Sequence, residues 1–188
     1  MKDKLVIDIE TKNTFADVGG HQNVERLEIS YIGAYSYNQD KYFGFHEHEL
    51  DKFAPILQNA SLVIGFATKR FDLPVMKKYY NFNIMALPQL DLLEEVEIAH
   101  GQRVSLDILA QANLSESKTG HGLDAIKYYQ QGNLKALEDY CLQDVKVTKM
   151  LYDHIKEKGH VIIPQKFSGE PVKVSINIQE MDMPATLF

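Results

Sequence analysis

The chain is short of cysteine. A single one, Cys141, stands among 188 residues, so no intrachain disulfide can form and a reducing compartment fits best. It also lacks any apolar run long enough to cross a bilayer. The opening MKDKLVIDIET puts acids where a signal peptide would carry its apolar stretch, which makes a cytoplasmic protein with no membrane partner the expectation. Two Asn-x-Ser sequons, at Asn59 and Asn113, therefore carry little meaning. Net positive charge is missing too: the balance is −6, which excludes a protein whose affinity rests on coating nucleic acid with lysine. It does not exclude an enzyme that gathers acids around metal ions and grips nucleic acid locally. No internal repeat, low-complexity segment or long linker breaks the chain.

What remains is an ordinary globular composition, 45% apolar and 24% charged, of a length that fits one domain with a real core. Lys4–Thr11, Leu27–Tyr37 and Lys41–His48 read as three strands joined by a polar loop and then by the turn Asn38-Gln39-Asp40. Leu50–Gln58 has apolar residues at helical spacing, and Leu62–Phe66 is a short, wholly apolar strand suited to the middle of a sheet. Leu73–Tyr80 reads as a helix with Pro74 in its first turn. Ile84–Leu92 is the candidate fifth strand, interrupted by Pro88. Then come helices over Leu106–Ala112 with Ser105 as N-cap, over Gly122–Tyr129, and over Leu134–Lys158 with Gly159 as the stop. This order predicts an α/β domain of three layers, a mixed five-stranded sheet with helices on both faces. We place that domain at residues 1–159. Residues 160–188 form a C-terminal extension, with a hairpin within Val161–Ile178 and a loose tail from Met181.

Four acids stand where packing alone does not ask for them. Asp8 and Glu10 lie two apart on the first strand and so share a face. An exposed strand end would explain them; so would a divalent cation, which makes such a like-charged pair favourable. Asp72 follows the fourth strand directly. It reads either as a first-turn acid favoured by the helix dipole or as part of a site at the strand ends, where α/β sheets gather ligands. Asp144 shares a face with Tyr140, one turn earlier, on a stripe that Leu137, Cys141, Thr148 and Leu151 mark as core-facing. A buried carboxylate there needs a partner, which a metal held by the other acids would supply.

Together these residues resemble a known pattern. The D-x-E of Asp8 and Glu10, the Phe71-Asp72 pair and the Y-x-x-x-D of Tyr140 and Asp144 look like the three motifs of the DEDD-type 3′–5′ exonucleases. That superfamily has the ribonuclease H-like fold. The resemblance runs from about Leu5 to Tyr152, and tyrosine four positions before the last aspartate places it in the Tyr subtype, beside stand-alone bacterial exonucleases and polymerase proofreading domains. It implies a phosphodiester hydrolase working from the 3′ end of single-stranded DNA or RNA, with two divalent ions, Mg²⁺ or Mn²⁺, held by Asp8, Glu10, Asp72 and Asp144. Oxygen-only ligands suit such hard cations and not zinc. Tyr140 would orient the attacking water, since a phenol titrating near ~10 is a poor base. Thr11 and Phe71 would approach the terminal nucleotide, with Lys69, Arg70, Lys118 and His121 as candidates for the phosphates.

The chain departs from that pattern at Ala67, five residues before Asp72, where relatives commonly carry an asparagine that helps hold the strand end. Two other readings therefore stand beside the exonuclease: a nuclease-like module that binds without cutting well, and a structure-selective endonuclease on the same fold. The terminal Leu187-Phe188 faintly resembles a sliding-clamp-binding peptide, without the usual glutamine. Oligomeric state, pathway and the choice of DNA or RNA are not written in the sequence.

Overall fold

A computed structural model describes residues 2–114, 122–165 and 169–178. The predicted positions Lys118, His121 and the tail from Met181 to Phe188 lie outside the described residues.

Strand β1 (Asp3–Thr11) runs through the centre of a five-stranded sheet. It is followed by β2 (Ile29–Ser36) and β3 (Lys41–His46), which add antiparallel on one side. Helix α1 (Leu50–Gln58) then crosses back so that β4 (Ala60–Gly65) pairs parallel to β1 on the other side. After α2 (Asp72–Met76), β5 (Gln89–Asp91) extends the sheet parallel to β4, giving the order β3-β2-β1-β4-β5. This is the mixed five-stranded sheet that the element order predicts. The fifth strand is only three residues long. Pro88 does not enter it, yet its carbonyl still accepts from Val63 N–H at 2.8 Å and so starts the pairing with β4. Helix α2 likewise stops at Met76, short of the expected Tyr80, and finishes as a 3₁₀ turn over Lys77–Tyr79.

Four α-helices follow: α3 (Leu92–His100), α4 (Leu106–Leu114), α5 (Gly122–Gln130) and α6 (Leu134–Lys158). The last spans the expected residues. Asn133 accepts from Ala136 N–H at its start, and Gly159 takes a left-handed φ of 71° at its end. A small antiparallel pair follows, β6 (His160–Ile163) with β7 (Val172–Ser175). No helix among the described residues is long and apolar enough to cross a membrane.

The period of two along β1 divides the core. Leu5, Ile7 and Ile9 point to one face, where they meet Leu50, Phe53 and Leu57 of α1 and Leu73, Val75 and Met76 of α2. Val6 points to the other face, against Val145, Val147 and Leu151 of α6 and Leu106 and Leu109 of α4. Asp8 and Glu10 continue the Val6 row. They therefore leave the sheet on the α6 side, just where the apolar packing ends.

Candidate active site

The row Val6, Asp8, Glu10 fixes where two of the acids go, and three further details bring the rest to them. The first is the length mismatch between strands. The parallel pairing of β1 with β4 ends at Val6 and Ile64, so β1 runs on past its neighbour. The Ile9 N–H beyond that point donates to Asp72 Oδ1 at 3.1 Å. Asp72 thus extends the sheet's hydrogen bonding with a side chain and is locked at the carboxyl end of the central strands.

The second detail is Gly33 of β2, directly opposite Asp8 in the antiparallel register. A Cβ there would lie 2.9 Å from Cys141 Sγ and 3.0 Å from Val145 Cγ2, both on α6. Glycine lets α6 descend onto the sheet at this point. The helix then delivers Tyr140 and Asp144, spaced i, i+4, to the same end as Asp8 and Glu10. Cys141 comes with them. Its thiol is fully buried and reaches Asp8 Oδ2 and the Asp8 carbonyl oxygen, each at 3.5 Å. Burial pushes the thiol well above its ordinary pKa and the Asp8 and Glu10 carboxylates push it the same way, so it stays protonated and can donate.

The third is a turn. After β4 the chain enters a left-handed conformation at Ala67, φ +66°, which alanine adopts only at a cost. The Ala67 carbonyl accepts from the N–H groups of Arg70 and Phe71, both at 3.0 Å, and the reversed chain enters α2 at Asp72. The residues predicted from sequence, Asp8, Glu10, Thr11, Phe71, Asp72, Tyr140 and Asp144, all line one cleft of about 400 Å³ together with Ala67. That volume lies within the rough 300–1,000 Å³ of small-ligand clefts. Thr11 is buried and donates to the Asn13 carbonyl at 2.9 Å. Phe71 meets Phe15 edge-on, with ring centroids 5.8 Å apart.

Some of the wall was missed. Phe15 comes from the polar loop between β1 and β2, where one aromatic among polar residues gives no periodic signal. Phe66, and Leu123 and Ile126 on α5, complete the apolar side. The phosphate-holding candidates on the turn do not point to free charge. Lys69 pairs with Glu94, and Arg70 with Glu97 at 2.9 Å, so both cations are engaged by α3.

The donor set fits hard divalent cations. Four carboxylates line the cleft, and Asp72 and Asp144 are almost fully buried, at 3% and 4% exposed. Among the described lining residues there is no lysine, arginine or histidine. Such a group is costly to ionise together, and a divalent ion offsets the cost with oxygen ligands of the right kind. Asp72 shows the strain of that arrangement. Burial pushes its pKa up from 3.8 to about 7, and the Asp91 carboxylate pushes the same way, against the N–H groups that hydrogen-bond to it. Between those two values the folded chain holds a proton that the unfolded chain has released, so this contribution to stability falls as pH rises. Metal-free protein should therefore lose stability from about pH 4 to about pH 7 relative to an Asp72→Asn variant, and added Mn²⁺ should restore the parent at the high end. Paired thermal melts measure this; parallel curves for parent and variant would refute it.

Comparison with known proteins agrees with the architecture. The profile of the RNase H superfamily matches residues 5–156. Among solved structures, the family B DNA polymerase from the hyperthermophilic archaeon Pyrobaculum calidifontis is similar to this chain, with a TM-score of 0.63 at 14% identity. The match covers 83% of this chain and 25% of that polymerase, so the chain spans about a quarter of the polymerase's length. No curated protein matches.

Proposed function

The chain belongs to the RNase H superfamily, a nuclease superfamily, and from that premise we propose that it is a metal-dependent 3′–5′ exonuclease acting on single-stranded DNA or RNA. The observation that carries the reading is the convergence of Asp8, Glu10, Asp72, Asp144 and Tyr140 on one cleft with an aromatic wall. Divalent ions bound to the four carboxylates would supply an activated water and relieve charge at the phosphate. The protein's own part is positional. Asp8 and Glu10 project from a rigid central strand, Asp72 is fixed by Ile9 N–H, and Asp144 rides on a packed helix. Phe71 and Phe15 line the cleft as an apolar wall for a terminal base, whose stacking tolerates any sequence. Tyr140 holds the attacking water.

A labelled-oligomer panel tests this: single- and double-stranded DNA and RNA, with Mg²⁺ and Mn²⁺ separately. A ladder shortening from the 3′ end is expected. Discrete internal cuts would replace the reading with an endonuclease, and untouched oligomers in every arm would end the nuclease claim.

Ala67 sharpens the substrate side. It lines the cleft at a left-handed backbone position that asparagine occupies more readily than alanine does. Ala67→Asn should therefore raise the melting temperature and place an amide in the cleft. One added hydrogen bond is worth about 0.5–1.5 kcal/mol, or roughly two- to tenfold tighter end binding. KM should fall by that factor with kcat little changed. A lowered melting temperature and an unchanged KM would show that the amide finds neither the backbone fit nor the strand.

A further inference from the structure

The turn that carries Ala67, Phe71 and Asp72 does not hold itself. Its left-handed residue costs energy, and its own hydrogen bonds are local ones. Beside the Ile9 N–H that holds Asp72, it is gripped from outside by Asp91, the last residue of β5, only 2% exposed and absent from the sequence-derived set. Its two carboxylate oxygens divide the work. Oδ1 accepts from Ala67 N–H at 2.9 Å and from Leu93 N–H at 3.0 Å and Glu94 N–H at 3.3 Å, so it caps α3 and holds the turn at once. Oδ2 accepts from Lys69 N–H at 3.0 Å and does nothing for the helix. Ala67 and Lys69 present their N–H groups to one anion, as a backbone nest does, and here the anion is the protein's own side chain.

Helix α3 adds an outer grip. Glu94 and Glu97 follow Asp91 at successive three-residue steps along one side of the helix, and take Lys69 and Arg70 from the same turn. Those pairs are a third to a half exposed, so salt screens them. Asp91 is buried and charge-assisted, and its hold persists.

We infer that Asp91 is a positioning residue for the cleft: its carboxylate holds the strained turn 67–71 so that Asp72 faces Asp8 and Glu10 and Phe71 faces the strand end. The activity side of this rests on the nuclease reading above; the hold on the turn does not.

The informative variant is Asp91→Asn. Asparagine keeps an oxygen for Ala67, Leu93 and Glu94 and remains a good N-cap, but its amide nitrogen then opposes Lys69 N–H, donor against donor. Ser105→Ala, which removes the Ser105 Oγ that accepts from Ile108 N–H at the start of α4, gives a comparison in which a different helix loses its cap. Amide exchange in the full chain should be about tenfold faster or more at Lys69 in Asp91→Asn, with Leu93 and Glu94 still protected. Cleavage should show kcat down about tenfold, a higher Mn²⁺ concentration for half-maximal rate, and partial recovery at saturating Mn²⁺. Ser105→Ala should change none of these. Equal exchange at Lys69 in parent and variant, or faster exchange at Leu93 and Glu94 to the same degree, would reduce Asp91 to a plain helix cap and overturn the inference. If the parent cleaves nothing, the nuclease reading fails by itself, and the exchange pattern still decides whether Asp91 holds the turn.

Discussion

An Asp144→Ala protein is expected to fold, to melt close to the parent, and to leave every oligomer uncut. The fold survives because Asp144 contributes nothing to the apolar packing of α6, which rests on Leu137, Cys141, Val145, Val147 and Leu151. Alanine also suits a helix interior. The chemistry fails because this carboxylate is the ligand in the proposed set that α6 supplies; Asp8 and Glu10 come from β1 and Asp72 from the start of α2. Without it α6 brings no carboxylate to the cleft. Charge stabilisation by a correctly held metal is worth several kcal/mol, so the loss should be on the order of 10³-fold or more in kcat/KM. Purification of parent and variant side by side, with Mn²⁺ titrated into each, measures both the rate and the metal affinity. Residual cleavage within tenfold of the parent would mean that Asp144 is not a metal ligand. Asp8→Ala should fail in the same way, since its Oδ2 is the one that Cys141 steadies.

Much of this site is legible in the sequence because short-range rules place it. A period of two on β1 puts Asp8 and Glu10 on one face, and a period of 3.6 on α6 puts Tyr140 with Asp144. The order of strands and helices predicts a mixed sheet, and the resemblance to DEDD-type nucleases of the ribonuclease H-like fold holds in both the family match and the fold. What the sequence hides depends on distant partners. Strand β5 has three residues, too few for any alternation, and exists because β4 and Val63 offer it a neighbour. The left-handed turn at position 67 would be announced by glycine or asparagine; alanine is silent, and the turn stands because Asp91 holds it from 24 residues away. Cys141 reads as one more core residue until Gly33, on another strand, lets it reach Asp8. In each case the missing information is a contact across the chain, which no local pattern encodes.

Tyr140→Phe should lower kcat by up to about 10²-fold while leaving the metal requirement where it was. Tyr140 is buried at 4% exposure, with its ring edge-on to Tyr128 at a centroid distance of 6.5 Å. Phenylalanine keeps that packing and removes only the hydroxyl, so a change in rate reports on the oxygen alone. The two roles open to that oxygen make different predictions about pH. If it takes a proton from the attacking water, its loss removes one ionisation from the rate profile and flattens a limb. If it only orients the water, kcat drops at every pH by the same factor and the profile keeps its shape. Orientation is the role the proposed set asks for, because ions held by the four carboxylates would make the water acidic and leave geometry as the remaining task. A profile that loses a limb in Tyr140→Phe would transfer proton abstraction to the tyrosine. A rate within twofold of the parent would leave the water to be placed by the carboxylates alone.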